Sequence, residues 1–199
     1  MRRLFFVAGL AFALAGCTTI THVRPGERAT IQGALTVQPT KDWSQVSTFS
    51  LYGAHVVVWT MDGPELDKLC FVAGLEGNAS IHADRPGKTP EPKFRGDMSA
   101  SEVMELFEAA YARPTSTPVI FKTGALKPAK FAGLDGFRFD FSFVDQADEV
   151  ERKGIATGAV HEGKLYLVFY HGARIHYFGK NLPEVEAIIR SAKVVQAKG

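Results

Sequence analysis

Four phenylalanines at every second position, Phe137, Phe139, Phe141 and Phe143, constrain this chain more than any other feature. On an extended backbone, successive side chains point to opposite sides. A period of two therefore gathers the four rings on one face and sets Arg138, Asp140 and Ser142 on the other. Such a face must be covered by another layer. Residues 165–171 supply a second strand, with Leu165, Leu167 and Phe169 on one side and Tyr166, Val168 and Tyr170 on the other. Apolar character on both faces predicts a central strand covered twice.

Around these two strands the pattern is one of short β segments and two helices. Residues 35–37, 48–51, 55–60 and 69–75 are rich in β-branched and aromatic residues and predict strands, as do residues 119–122 and 154–160. Pro128 limits residues 126–131 to an edge strand. Asp135-Gly136 and His161-Glu162-Gly163 predict turns, and Asp62 predicts a cap for a turn through Glu65, Leu66 and Asp67. Ser99-Ala100-Ser101-Glu102 is a capping box, and Val103, Leu106, Phe107 and Ala110 then fall on one helical face. A closing helix is expected with Asn181 as its cap and Leu182, Val185, Ile188, Ile189 and Ala192 as its buried stripe. The expected class is α+β, an antiparallel β-sheet flanked by helices.

The N-terminus has a different character. Arg2 and Arg3 precede an apolar run from Leu4 to Leu14, too short for a comfortable permanent span but suited to an export signal. Leu14-Ala15-Gly16-Cys17 then resembles a lipobox. The expected organisation is a signal peptide over residues 1–16, a lipidated N-terminus and tether over 17–33, and a single α+β domain over 34–199. The lipobox resemblance implies signal-peptidase cleavage between Gly16 and Cys17, with a diacylglycerol on the Cys17 thiol. Two or three acyl chains anchor a protein almost permanently, at about 0.8 kcal/mol per buried methylene. Thr18 is not the aspartate that marks inner-membrane retention in enterobacteria. In a cell with two membranes the expected site is thus the outer membrane, facing the periplasm.

Charge and cysteine content narrow the function. Lys plus Arg total 23 and Asp plus Glu 21; Arg2 and Arg3 supply the excess, leaving the remaining chain balanced. A balanced chain has no long-range field to steer nucleic acid, and no nucleic-acid partner is expected. With Cys17 acylated, Cys70 is the one remaining thiol, so no disulfide can form within the chain. Its neighbours Leu69, Phe71 and Val72 predict a small buried hydrophobe and no reactive group.

No motif marks a catalytic centre, a metal or a cofactor. His22, His55, His82, His161, His171 and His176 lack the helical i, i+4 spacing of a zincin, and one thiol cannot build a cysteine-rich zinc site. His171 and His176, five apart, would face opposite ways on one straight strand. There is neither a nucleophile elbow nor a phosphate-binding loop. Arg138 and Asp140 predict a cross-strand salt bridge, and Trp43, Trp59, Tyr166, Tyr170 and Tyr177 predict core. Residues 82–97, with Pro86, Pro90 and Pro92 among charges, predict a long exposed loop and the first place to look for a partner.

From about Trp43 to Val195 the chain resembles a family of proteobacterial lipoproteins. The matching features are Asp62-Gly63-Pro64 after an apolar strand, Lys164-Leu165-Tyr166-Leu167, His176-Tyr177-Phe178, and a helix containing Val185-Glu186-Ala187. The order of elements is also similar to PsbP-like domains, which implies an α/β/α sandwich and a binding or accessory role. The resemblance implies no particular reaction. The resulting expectation is a non-catalytic envelope lipoprotein, held to the membrane by its lipid and contacting an envelope protein or ligand. The alternatives are an envelope hydrolase without a local motif and a carrier of a small apolar ligand. A deep pocket of convergent titratable groups would favour the hydrolase, a dry aromatic cavity the carrier, and an ordered 86–92 loop the binding module.

Overall fold

The computed structural model describes residues 20–47, 52–112 and 119–195. The elements are β1 (Ile20–Val23), β2 (Ala29–Ile31), β3 (Leu35–Val37), β4 (Trp43–Val46), β5 (Val56–Thr60), β6 (Asp67–Leu75), α1 (Ala100–Tyr111), β7 (Val119–Thr123), β8 (Lys127–Phe131), β9 (Leu134–Asp145), β10 (Glu151–His161), β11 (Lys164–Ala173), α2 (Tyr177–Ser191) and β12 (Lys193–Val194). Nine strands form one antiparallel sheet in the order β1-β4-β5-β6-β11-β10-β9-β7, with β8 also on β9. A small sheet, β12-β3-β2, lies apart from it.

Alternation along the strands divides the interior in two. On β6, Leu69 and Phe71 join a cluster with Trp43, Trp59, Val168, Tyr170 and the α2 residues Val185 and Ile188. Cys70 and Val72 join the opposite cluster, with Phe137, Phe139, Phe141, Phe169 and the α1 residues Val103, Leu106 and Phe107. One helix thus covers each face. Strand β11 runs through the middle of the sheet and is buried from Leu165 to Gly172, as its two apolar faces require. Three of the four alternating phenylalanines are fully covered, and Phe107 meets Phe139 and Phe141 edge-on at 5.4 and 5.1 Å between ring centres. Opposite Phe141 on β10 stands Gly154, where an added Cβ would strike the phenyl ring at 2.2 Å.

Several local expectations hold. Ser99 and Glu102 form the capping box, and the four apolar residues of α1 are buried. Glu162 and Gly163, both with positive φ, make the two-residue turn between β10 and β11. Such primed turns match the twist of the strands they join.

Other expectations are corrected. The stretch read as a tether is folded from Ile20 onward: β1 pairs with β4, and β2 with β3. Ile20, Thr21 and Val23, then Thr30 and Ile31, supply β-branched residues that pairing can use despite the polar residues between them. The fold is therefore more β-rich than the expected sandwich, with only two helices among the described residues. Trp43 begins β4, a strand not expected from the sequence, and residues 48–51 lie outside the described residues. The β8–β9 turn falls at Ala132-Gly133, both at positive φ, and Asp135-Gly136 lie within β9. Helix α2 starts at Tyr177, so Asn181 is a buried interior residue and Pro183 sits inside the helix.

Candidate ligand-binding cleft

The aromatic layer beneath α1 stops short of one end of the sheet. There β6, β11 and β10 replace apolar side chains with Lys68, His171 and Arg152. Lys68 is the direct cross-strand partner of His171, and Arg152 that of Phe143. The Phe143 ring meets His171 edge-on at 5.1 Å, and the Arg152 guanidinium lies 5.7 Å from its centre. The C-terminus of α1 and the chain from His82 onward close over this floor. The cleft, open on one side, has a volume of about 150 Å³.

His82 is held from three sides. Its backbone bridges to Tyr52, its ring lies 4.9 Å from that of Tyr111, and its Nδ1 is 3.2 Å from the Ala110 carbonyl. A carbonyl only accepts, so Nδ1 carries the proton and Nε2 presents a lone pair. Buried Nε2 has no partner. Burial pushes the His82 imidazole down to about 4, so at neutral pH it carries no charge. His171 is likewise buried; its Nδ1 lacks a partner, and burial, then Lys68 and Arg152, hold the ring well below the usual histidine range.

Glu91 completes this set. Its backbone N–H donates to Asp84 Oδ1 at 2.7 Å, and its Oε1 is 3.8 Å from Arg85, but its buried Oε2 has no partner. The loop is not the exposed strap expected for residues 82–97. Phe94 is fully buried and exchanges backbone hydrogen bonds with Asn78 and Ala79, and Lys93 pairs with Asp84 at 2.5 Å. Arg152, by contrast, is fully engaged: it donates to both Asp148 oxygens at 3.2 and 2.6 Å and to the carbonyls of Val150 and Glu65.

No activated nucleophile lines the cleft. The Tyr52 and Tyr111 hydroxyls lie 3.2 Å apart, and burial pushes both well above the usual phenol range. Cys70 is fully buried, as its neighbours predicted, and burial pushes its thiol up to about 12. Among the described residues no group of three or more histidine, cysteine or acidic side chains is arranged to hold a metal ion.

The remaining sequence candidates lie elsewhere. Gly16 and Cys17 are outside the described residues. Arg138 does not pair across the sheet with Asp140; it makes a two-point ion pair with Glu186 of α2, at 2.6 and 3.1 Å, because α2 covers that face. Asp62 caps no turn but accepts from Lys180 at 2.5 Å and Asn181 at 2.9 Å. Asp67, expected in the turn, is buried at the start of β6 and accepts from Thr60, Met61 and Asp62. Trp43, Trp59, Tyr166 and Tyr170 are core, while Tyr177 opens α2. His171 and His176 are separated by the turn into α2, and only His171 reaches the cleft.

Sequence reasoning missed the convergence of His82, Glu91, Arg152 and His171. One signal was present: His171 follows three fully apolar pairs of alternating positions on β11, where the pattern asks for another apolar residue.

The chain has likenesses at both of its levels. Residues 1–18 match the model of the prokaryotic membrane lipoprotein lipid attachment site. Among solved structures the chain is similar to the solution structure of cyanobacterial PsbP (CyanoP) from Synechocystis sp. PCC 6803. That protein is 14% identical, with a TM-score of 0.56 over 93% of this chain and 98% of the other. At that identity the likeness is one of fold. No curated protein sequence matches this chain. The lipobox leader and the PsbP-like fold both meet the expectation from sequence, and the chain carries the attachment site of a lipid-anchored lipoprotein.

Proposed function

We propose that this protein is a non-catalytic envelope lipoprotein, cleaved between Gly16 and Cys17 and acylated on Cys17, that binds a small polar ligand in the cleft beneath α1. The reading places it on the outer membrane, facing the periplasm, with its first sixteen residues removed as a signal peptide. One observation carries the binding role: His82, Glu91 and His171 each bury an unpartnered polar atom, and all three line a single cleft. A buried polar group without a partner costs about 1–3 kcal/mol, and a bound ligand that satisfies it recovers that energy. The tied-down 82–97 loop supports the same role, since an ordered wall loses little entropy on binding.

A hydrolase is the second reading, favoured by the gathering of titratable groups in one concavity. General acid–base chemistry works best with a group poised near the operating pH. An imidazole at about 4 is a weak base at neutrality, which places this reading second.

Two measurements test the proposal. Mass spectrometry of the membrane fraction should find a chain beginning at Cys17 with added acyl mass, and Cys17→Ser should lose that mass and leave the membrane. A wild-type chain without acyl mass ends the anchor claim. NMR of the His82 and His171 ring protons should then report ligand entry during a screen of small polar compounds. If none shifts these signals, the cleft is not a binding site.

A further inference from the structure

Resting on the reading of the cleft as a binding site, we infer that its ligand is a small zwitterion of the amino-acid type, its ammonium held by Glu91 and His82 and its carboxylate by Lys68. The two walls of the cleft have opposite unmet demands. On the loop wall, Glu91 Oε2 and His82 Nε2 are buried and can only accept hydrogen bonds. Helix α1 also ends here, with no basic residue in its last turn, and its Ala110 carbonyl accepts from the His82 Nδ1–H. Arg85 stands 3.8 Å from Glu91 Oε1, so what this wall still calls for is a group that brings N–H donors to Oε2 and to His82 Nε2.

The sheet floor calls for the reverse. Lys68 has no ion-pair partner among the described residues, and it stands directly across from His171, whose Nδ1 is also unpartnered. Arg152 cannot be the cation that meets an incoming anion, because its donors are spent on Asp148, Val150 and Glu65. Lys68 is therefore the floor's available cation, beside the carboxylates of Glu65, Asp145 and Asp148, the last of them held by Arg152.

Simple ions satisfy only half of this arrangement. A small amine would meet Glu91 but would face Lys68 with like charge. A small carboxylate would meet Lys68 but leave Glu91 Oε2 buried without a donor. A cavity of about 150 Å³ holds a guest of about six heavy atoms, the size of alanine. The rings of Tyr111 and Phe143 line the same space and can cover a short apolar side chain.

The test is calorimetric titration of the full acylated protein in detergent with L-alanine, methylammonium and acetate. Alanine should bind at least tenfold more tightly than either half-ligand. Glu91→Gln and Lys68→Met should each weaken alanine about tenfold, and Lys68→Met should weaken acetate as well. The comparison among the three ligands uses wild type alone, so it stands even if a variant folds poorly. Equal binding of alanine and one half-ligand, or unchanged affinity in folded variants, overturns the assignment. If alanine fails while other compounds shift the His82 ring signals, the ligand class is wrong and the cleft still binds. If no compound shifts them, the cleft reading itself falls.

Discussion

The two faces of the sheet treat buried polar groups in opposite ways. Beneath α2 the charged ones are locked to partners. Asp67 accepts from the Thr60 hydroxyl at 2.8 Å and from two backbone N–H groups, and Asn181 lies beside it at 3.5 Å. Burial pushes the Asp67 carboxyl up, and those hydrogen bonds oppose the shift. Glu184 accepts from the Thr40 and Lys41 backbones at 2.7 and 3.1 Å and from the Thr40 hydroxyl, stapling α2 to the chain ahead of β4. The unpartnered atoms on this side, Trp43 Nε1, Thr157 Oγ1 and Asn181 Oδ1, are neutral. Beneath α1 the interior is aromatic, and among the described residues every ionisable side chain with an unpartnered buried atom lies in the one cleft. Outside the cleft only neutral atoms of the described residues, Ser80 Oγ among them, are left without partners; the ionisable groups left wanting gather in it.

The sharpest way to break this contrast is in the aromatic layer. Phe107 touches Phe139, Phe141 and Phe169, so Phe107→Ala should lower unfolding free energy by about 4 kcal/mol in urea. A loss below about 1 kcal/mol would show that the α1 face does not rest on packing. Asp67→Ala strands several donors at once and should cost about 3 kcal/mol by the same measurement. A neutral outcome there would remove the lock from the α2 face.

Acid should act on the other face. His82 is held neutral in the fold at about 4, against 6.5 in the unfolded chain. Its contribution is therefore complete above 6.5 and is lost as pH falls toward 4. Between about pH 7 and pH 5 the loss should be about 2 kcal/mol, with His171 adding to it in the same direction. His82→Asn keeps a donor for the Ala110 carbonyl and should flatten that part of the pH profile. An unchanged profile would mean that the buried imidazole does not govern acid stability. The smallest effect belongs to Arg138→Gln: its ion pair with Glu186 is partly exposed, and its loss should cost about 1 kcal/mol or less in thermal melts.

The long central strands and α1 were legible in the sequence because each is specified by its own residues. Period-two phenylalanines, a capping box and a doubly apolar strand need no distant information. The β1 and β2 strands were not legible, because short polar segments gain their order from pairing with β4 and β3. The α2 start was misplaced because Asn181 and Glu184 resemble a cap when seen locally. Both are drawn instead into contacts with Asp62 and with Thr40, more than a hundred residues earlier. The cleft was hidden for the same reason: His82, Glu91 and His171 come from a loop and a strand that only the sheet order brings together. The lipobox needed no folding at all, since it is read by enzymes as linear sequence.

The early start of β1 has a consequence for posture. Only three residue steps separate Cys17 from Ile20, a reach of about 10 Å. On the proposed acylation of Cys17, the β1 edge of the sheet would lie close to the headgroups. Following the ladder from Ile20 through Val46, Val58 and Cys70 leads to Phe169, and His171 lies farther along in the direction β1 runs. On that proposal the anchor would set the posture of the sheet as well as its address, with His171 displaced away from the end of β1 that leads to the lipid.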